Sequence, residues 1–281
     1  MSTEKVLITG ASSGIGLHLA HEFAKHGHPL ILVAPGEGEL AEIAEVLANE
    51  HAVPVTIIAS DLETESAIDD MFQRVSRQEG ELDILVNNAG HGWHGQFWEI
   101  PIEKDLSMLR LNVEAVLRLT KLFLPSMIRR GSGRILNVAS VAGFEPGPLF
   151  AVYHASKAFV LSWSEALATE LEDTGVTLTA LCPGPTDTDF FEKADMVGTR
   201  AFQKANLMAP QPVAVAGYEG LMSGDRVVVP GVANKLALFS RRFLSKEAQS
   251  KMHEKLYQEV DPEDQTRRPH EKELEAAQKE G

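Results

Sequence analysis

Lys5-Val6-Leu7-Ile8-Thr9-Gly10-Ala11-Ser12-Ser13-Gly14-Ile15-Gly16 begins the patterned part of the chain. A short apolar run ends at Thr9 and Gly10. A glycine-rich turn follows, and a helical pattern then continues through Leu17, Leu19, Ala20, Phe23 and Ala24 to Gly27. The stretch reads as strand, turn, helix. A strand that is apolar without alternation suits a parallel sheet covered on both faces. Glycines in the turn permit positive φ and close approach of another backbone. The first N–H groups of the helix are then free to hold an anion such as a pyrophosphate. A glycine-rich turn placed in this frame is a good sign of a dinucleotide site, where the turn alone is a modest one.

Outward from this turn the same alternation repeats. Further apolar runs lie at 30–33, 53–59, 82–86, 134–138, 176–181 and 226–229. Helical patterns separate them, including a long one at about 103–130 that Pro125 is expected to kink or break, and one at about 150–175. Strands alternating with helices imply βαβ units with right-handed crossovers. The expected fold is therefore α/β, a doubly wound sheet of about seven parallel strands flanked by helices. The division expected is one domain over 1–231, a C-terminal helical extension over 232–259, and a charged, disordered tail over 260–281. The tail holds too few apolar groups to offset the entropy of ordering.

The helix at 150–175 carries Tyr153-His154-Ala155-Ser156-Lys157. Positions i and i+4 share a helix face. A neighbouring ammonium favours phenolate, so Lys157 is expected to lower the Tyr153 pKa and make its hydroxyl a proton donor or acceptor near neutral pH. A lone Tyr-x-x-x-Lys is weak evidence; other motifs accompany it here. Gly10-x-x-x-Gly14-x-Gly16, Asn87-Asn88-Ala89-Gly90, Asn112, Ser140, Tyr153-x-x-x-Lys157 and Pro183-Gly184 follow in order.

Jointly these motifs resemble the short-chain dehydrogenase/reductase family, of the Tyr-x-x-x-Lys type, over about residues 5–230. The resemblance implies a Rossmann-type fold and nicotinamide-dependent interconversion of carbonyl and alcohol. By the same resemblance, Asn112, Ser140, Tyr153 and Lys157 are the catalytic residues. Tyr153 would exchange the proton and Lys157 would hold the nicotinamide ribose. Ser140 would orient the substrate oxygen, and Asn112 would hold a relay water. The dinucleotide would meet Gly10, Ser12, Ser13, Gly14, Ile15 and Gly16 at the turn, with Asp61 and Leu62 at the adenine. Asn88, Ala89 and Gly90 would line the cleft, and Asn87 would support the sheet. Pro183, Gly184, Thr186 and Thr188 would contact the nicotinamide end. NADP-preferring relatives carry a cation after the second strand or before the second glycine, and NAD-preferring ones an acid at the second strand's end. Here Ala34-Pro35-Gly36 and Ser13 stand at those positions, and NADP(H) is favoured over NAD(H) on the look of the rest of the sequence.

Bulk properties narrow the function. A net charge of −14 over 281 residues argues against nucleic acid. The single cysteine, Cys182, excludes an intrachain disulfide. No apolar run approaches the roughly 18 residues of a membrane span, and the N-terminus has no leader pattern, so a cytoplasmic protein is expected. No metal is expected: His18, His21, His26 and His28 are read as exposed or capping. The substrate pocket is expected around 91–97, 141–150 and the irregular 186–210, with Trp93, Phe97, Phe144, Phe150, Phe190 and Phe191, and to suit a hydrophobic small-molecule carbonyl or alcohol. The stretch 232–258 sets Leu236, Phe239 and Phe243 among cations. It is expected to dock on the domain or another subunit in preference to a membrane surface. A homodimer or homotetramer is expected from the family resemblance. The alternative function is a non-catalytic dinucleotide-binding regulator or scaffold of the same fold.

Overall fold

The computed structural model describes residues 4–241 and 243–268. Among them, seven parallel strands form one sheet in the order β3-β2-β1-β4-β5-β6-β7. The strands are β1 (Val6–Thr9), β2 (Leu30–Ala34), β3 (Val55–Ala59), β4 (Ile84–Asn87), β5 (Gly133–Val138), β6 (Val176–Leu181) and β7 (Val227–Val228). The expected doubly wound α/β sheet is the one observed. Strand order reverses between β1 and β4, which leaves a crevice at their carboxyl ends.

Alternate residues of each strand face opposite layers. Val6, Ile8, Leu30 and Leu32 pack with Leu19 and Phe23 of α1 (Gly14–Lys25), Leu40 and Leu47 of α2 (Glu37–His51), and a later helix through Val213 and Leu221. Leu7, Ile31, Val33 and Leu85 pack instead on Ile68 and Met71 of α3 (Glu65–Gln78) and on Leu119 and Phe123. Both faces are covered, which is why the strands read as unbroken apolar runs.

The long helical region differs from expectation in one detail. It comprises α4 (Ile102–Leu109), a π-helical turn over Arg110–Ala115, and α5 (Val116–Arg130). Pro125 lies inside α5 without ending it. The irregularity falls earlier, around Asn112. The catalytic-helix candidate is α6 (Ala151–Glu170). After β6 come two short helices, α7 (Phe190–Lys193) and α8 (Arg200–Gln203), then α9 (Pro210–Ser223).

The C-terminal stretch forms two helices, α10 (Val232–Arg241) and α11 (Lys246–Tyr257), with Ser245 capping the second by accepting from the Ala248 N–H at 3.2 Å. The docking expected of this stretch holds for α11. His253 and Tyr257 are buried against α6, and His253 pairs with buried Glu145. α10 also meets the domain, but through Asn234, Ala237 and Leu238 and not through its apolar set, since Leu236 and Phe239 are 63% and 58% exposed. The charged tail expected from 260 is held at its start. Val260 is buried, its N–H donates to Gly198 O, and Gln203 Oε1 accepts from the N–H groups of Thr266 and Arg267. Residues 269–281 lie outside the described residues. None of the described helices is long and apolar enough to cross a membrane.

His154 connects α6 to α11. Its Nδ1 meets Glu145 O at 2.8 Å and its Nε2 meets the Tyr257 hydroxyl at 2.8 Å. Burial pushes its pKa down to about 4, with Glu145 opposing. Between pH 6.5 and 4 the unfolded chain therefore binds a proton that the folded chain refuses, and stability falls as pH falls through that window. The loss by pH 4 is on the order of 3 kcal/mol. Urea midpoints measured at pH 7 and pH 4.5 should drop for the wild-type chain, and drop distinctly less for His154→Asn. Equal drops would mean that His154 does not carry the effect.

Candidate active site

Glycine makes the nucleotide-side turn possible. Gly10 and Gly14 have φ of +64° and +54°, a region that side chains rarely adopt. Gly16 is in the helix, but a methyl there would lie 2.1 Å from Gly10 O and 2.4 Å from Asn88 Nδ2. Asn88 reaches across from the end of β4, donating to Thr9 O at 2.9 Å and Gly10 O at 3.1 Å. Thr9 Oγ1 accepts from the N–H groups of Asn88 and Ala89, both at 3.0 Å. The turn is thus fastened to β4 where the crevice opens. Asn87 points the other way. It donates to Asn137 Oδ1 at 2.8 Å, and Asn137 donates to Ser164 Oγ at 2.9 Å, a buried chain linking β4, β5 and α6.

One cleft of about 470 Å3 runs from this turn to α6. Of the expected dinucleotide residues, Gly10, Ser12, Ser13, Gly14, Ile15, Asp61, Leu62, Asn88, Ala89, Gly90, Pro183, Gly184, Thr186 and Thr188 line it, as do Ser140, Tyr153 and Lys157. Gly16 and Asn112 do not. Gly16 serves the close packing just described. Asn112, 1% exposed in the π-helical turn, accepts from the His91 N–H at 3.1 Å and donates to His91 O at 2.9 Å and Ser156 Oγ at 3.1 Å. It fixes the main chain just after Gly90, where an added methyl would lie 2.9 Å from Asn112 Oδ1 and 3.4 Å from Lys157 Nζ.

The chemical end departs from the expected pKa logic. Burial pushes the Tyr153 phenol up to about 12, and the Ser140 hydroxyl works against that rise. Burial pushes Lys157 down to about 8. The ammonium does not acidify the phenol here because desolvation dominates and the two groups are apart. Lys157 Nζ donates to Val138 O at 2.9 Å and lies 5.8 Å from the centre of the Tyr153 ring. The Tyr153 ring stacks on Phe150, with centroids 4.3 Å apart, and Phe150 packs edge-on against Tyr257 at 5.5 Å. Ser140 Oγ accepts from the Ala142 N–H at 3.1 Å, which fixes the turn after β5.

The apolar end of the cleft is only partly as expected. Phe150, Phe190 and Phe191 line it. Trp93 and Phe144 do not. Lys104 Nζ sits 3.7 Å above the Trp93 ring, and Phe144 is 37% exposed. Phe97 is 61% exposed on the surface. His91 does line the cleft, and burial lowers its pKa against the pull of Glu63. His28, read as exposed or capping, is buried and meets Glu4 O at 2.9 Å. Cys182 is buried, and burial pushes its thiol up to about 12. His21, Glu50 and His51 bring ligand atoms within 4.8 Å of one another between α1 and α2, away from the cleft.

Several lining residues carry no signal in the sequence pattern. Asn234, Ala237 and Leu238 of α10 and His253, Leu256 and Tyr257 of α11 wall the cleft from a segment about 80–100 residues beyond Tyr153. Gly184 permits this approach, since a methyl there would lie 2.5 Å from the Asn234 side chain. Lys193 was also unforeseen. From α7 its Nζ reaches Ser13 Oγ at 3.4 Å and pairs with Asp189. Its only sequence cue is the i,i+4 spacing from Asp189 in a stretch read as irregular.

Residues 4–196 match the family model described as short chain dehydrogenase. The chain is 35% identical over 232 residues to the ketoacyl reductase HetN of Nostoc sp., covering 82% of this chain and 79% of that protein. It superposes on a short-chain dehydrogenase from Sphingobium yanoikuyae in complex with NADPH with a TM-score of 0.77 at 33% identity, over 85% and 93% of the two chains. It likewise superposes on a short-chain dehydrogenase/reductase from Burkholderia phymatum in complex with NAD, with a TM-score of 0.78 at 25% identity over 93% and 98%. The chain belongs to the short-chain dehydrogenase/reductase family and is an oxidoreductase.

Two glycines give opposite expectations. In Gly16→Ala the methyl meets backbone that cannot retreat, and the fold should lose about 1–3 kcal/mol together with dinucleotide affinity. In Gly38→Ala the methyl meets nothing within 4 Å on α2, and stability should rise by up to about 1 kcal/mol. Thermal unfolding of the two variants checks the pair. A harmless Gly16→Ala would contradict the packing described.

Proposed function

We propose that the enzyme interconverts a carbonyl and an alcohol on a hydrophobic small molecule, with a nicotinamide dinucleotide as redox partner. The observation that carries the reading is one cleft joining the glycine-rich turn to Ser140, Tyr153 and Lys157. Its shape and donors suit a dinucleotide: glycines of positive φ at one end, a buried ammonium at the other, and apolar walls between. A bound nicotinamide supplies the hydride; this chain supplies placement and proton control. Gly10, Ser12, Ser13, Gly14, Ile15, Asp61, Leu62, Asn88, Ala89, Gly90, Pro183, Gly184, Thr186 and Thr188 would hold it.

With its pKa near 12, the Tyr153 hydroxyl is protonated at neutral pH and suits a proton donor to a carbonyl oxygen in the reductive direction. Ser140 would hydrogen-bond the same oxygen and hold it beside the phenol. Lys157, still mostly charged below its pKa of about 8, would bind the ribose hydroxyls. Asn112 and Gly90 keep that ammonium's surroundings tight. Phe150, Phe190, Phe191, Met196, Leu238 and Leu256 make the substrate end apolar, which supports a lipophilic ketone, aldehyde or acyl chain over a phosphorylated compound. The regulator-or-scaffold alternative has no observation in its favour, since none of the four catalytic candidates is missing. Ile102, Leu106 and Leu109, exposed along one side of α4, are the surface we assign to homo-oligomer formation.

For the cofactor we favour NADP(H). The cation absent from the second strand and the first turn is supplied by Lys193, whose ammonium lies against Ser13. A charge-assisted bond to a 2′-phosphate contributes about 1.5–3 kcal/mol. Lys193→Met should therefore weaken NADPH binding roughly 10- to 100-fold, by fluorescence titration, and change NADH affinity little. Equal effects on both nucleotides would refute the assignment.

Tyr153→Phe tests the chemistry. Turnover of a hydrophobic ketone with NADPH should fall by about 100-fold or more, while nucleotide affinity stays. Unchanged turnover would remove Tyr153 from the proton step.

A further inference from the structure

We propose that α10 and the start of α11 form a docking face for the surface of an anionic lipid bilayer. The reason is an inverted amphipathic helix. At 100° per residue, Val232, Leu236 and Phe239 of α10, with Phe243 just beyond it, fall within a sector of about 60°. Their exposures are 73%, 63%, 58% and 78%. The opposite side, with Asn234, Ala237 and Leu238, walls the cleft. A helix packed on a domain normally turns its apolar stripe inward. Here the largest apolar side chains face out, and the Phe239 and Phe243 rings meet edge to face at 5.8 Å with no core behind them. Met252 of α11, 51% exposed, and Phe144, whose carbonyl accepts from Lys246 at 3.3 Å, extend the apolar surface.

Charge identifies the occupant. Residues 232–258 hold the cations Lys235, Arg241, Arg242, Lys246, Lys251 and Lys255 against Glu247 and Glu254, in a chain whose net charge is −14. This is a local reversal of sign along the sequence, and Lys235, Lys246, Lys251 and Lys255 are exposed on the two helices that carry the apolar stripe. A second copy of the chain pairing through this face by a two-fold axis would press cations on cations, which opposes association. Anionic headgroups are complementary instead. Each Lys or Arg near such a surface contributes about 1 kcal/mol, and the apolar stripe enters the headgroup–acyl boundary. No span is needed for this, only a helix lying in the plane of the interface.

The arrangement has a consequence for the substrate, and this step rests on the proposed carbonyl chemistry. α10 is lipid-facing on one side and a cleft wall on the other. A lipophilic carbonyl compound dissolved in the bilayer would reach the cleft by passing this helix, without crossing water.

The test uses the full chain and vesicles, and reads binding without turnover, so it stands or falls separately from the proposed activity. Co-sedimentation is compared on phosphatidylcholine vesicles and on phosphatidylcholine mixed with phosphatidylglycerol. The wild-type chain should pellet with the anionic vesicles and be released by salt. Removing two inserted rings in Phe239→Ser/Phe243→Ser should weaken that binding by about 10-fold or more, with NADPH affinity and the mass from light scattering unchanged. The proposal is overturned if the wild-type chain ignores anionic vesicles or if the double variant binds them as well as wild type. It is also overturned if the substitution lowers the solution mass, which would make the face a contact between copies.

Discussion

The backbone of the first turn touches the backbone after β4, and the rest of the site depends on that contact. Gly10 lies so close to Ala89 that a methyl on it would sit 2.9 Å from the Ala89 Cα. Thr9 and Asn88 close the gap with three kinds of hydrogen bond: backbone amide to hydroxyl, side-chain amide to carbonyl, and hydroxyl to the Val86 carbonyl. Parallel pairing of β1 with both β2 and β4 puts the helix N-terminus, the turn and the Asn88–Gly90 segment on one rim. A crevice at a strand-order reversal exists in every sheet of this type. What this chain adds is a turn rigid enough to be a fixed wall of it.

At the other end of the cleft the dominant force is burial. Sequence spacing puts a phenol and an ammonium on one helix face, and Coulomb attraction alone would pull their pKa values apart in favour of charge. Burial acts on both in the opposite sense, raising the phenol and lowering the ammonium. The ammonium donates to the Val138 carbonyl, and its pKa of about 8 leaves it mostly charged at neutral pH. The same low polarity makes Asn112 necessary: a π-helical turn there turns a side-chain amide inward to satisfy the His91 main chain, which would otherwise be buried without partners.

The sheet was legible in the sequence because its information is local. Each strand is a run of apolar residues and each helix a period, so the order of elements could be read from the residues themselves, while most of the cleft's lining was implied by the family resemblance of the motifs. Gly16 was legible as a glycine but not as a packing glycine, since the atom it avoids, Gly10 O, belongs to a turn whose shape the sequence does not state. Asn112 was legible as a site residue but not as part of a π-helical turn, for which no residue pattern exists. The direction of the Tyr153 shift was missed because it depends on how much protein lies around the phenol, which Phe150 covers from the start of the same helix and Phe190 from a separate segment. Helical periodicity revealed an apolar stripe on α10 but not the side of the molecule it faces.

The segment between β6 and α9 links the two ends of the cleft mechanically. Thr188 packs against Gly14, with 3.2 Å between its Cγ2 and the position of a methyl there. Two residues later Phe190 tilts against Tyr153 at 5.4 Å, and Lys193 returns to Ser13. The N-terminus of α1 and helix α6 are therefore bridged by a stretch of six residues. A nucleotide held at Ser13 and Thr188 would pull on the same short helix that presents Phe190 and Phe191 to the substrate. Because α7 is a single turn whose first residue meets Tyr153 and whose last reaches Ser13, a shift of the turn as one body would be felt at both ends. A nucleotide that fixed one end would then change the free energy of a ligand at the other, which is the condition for coupled binding.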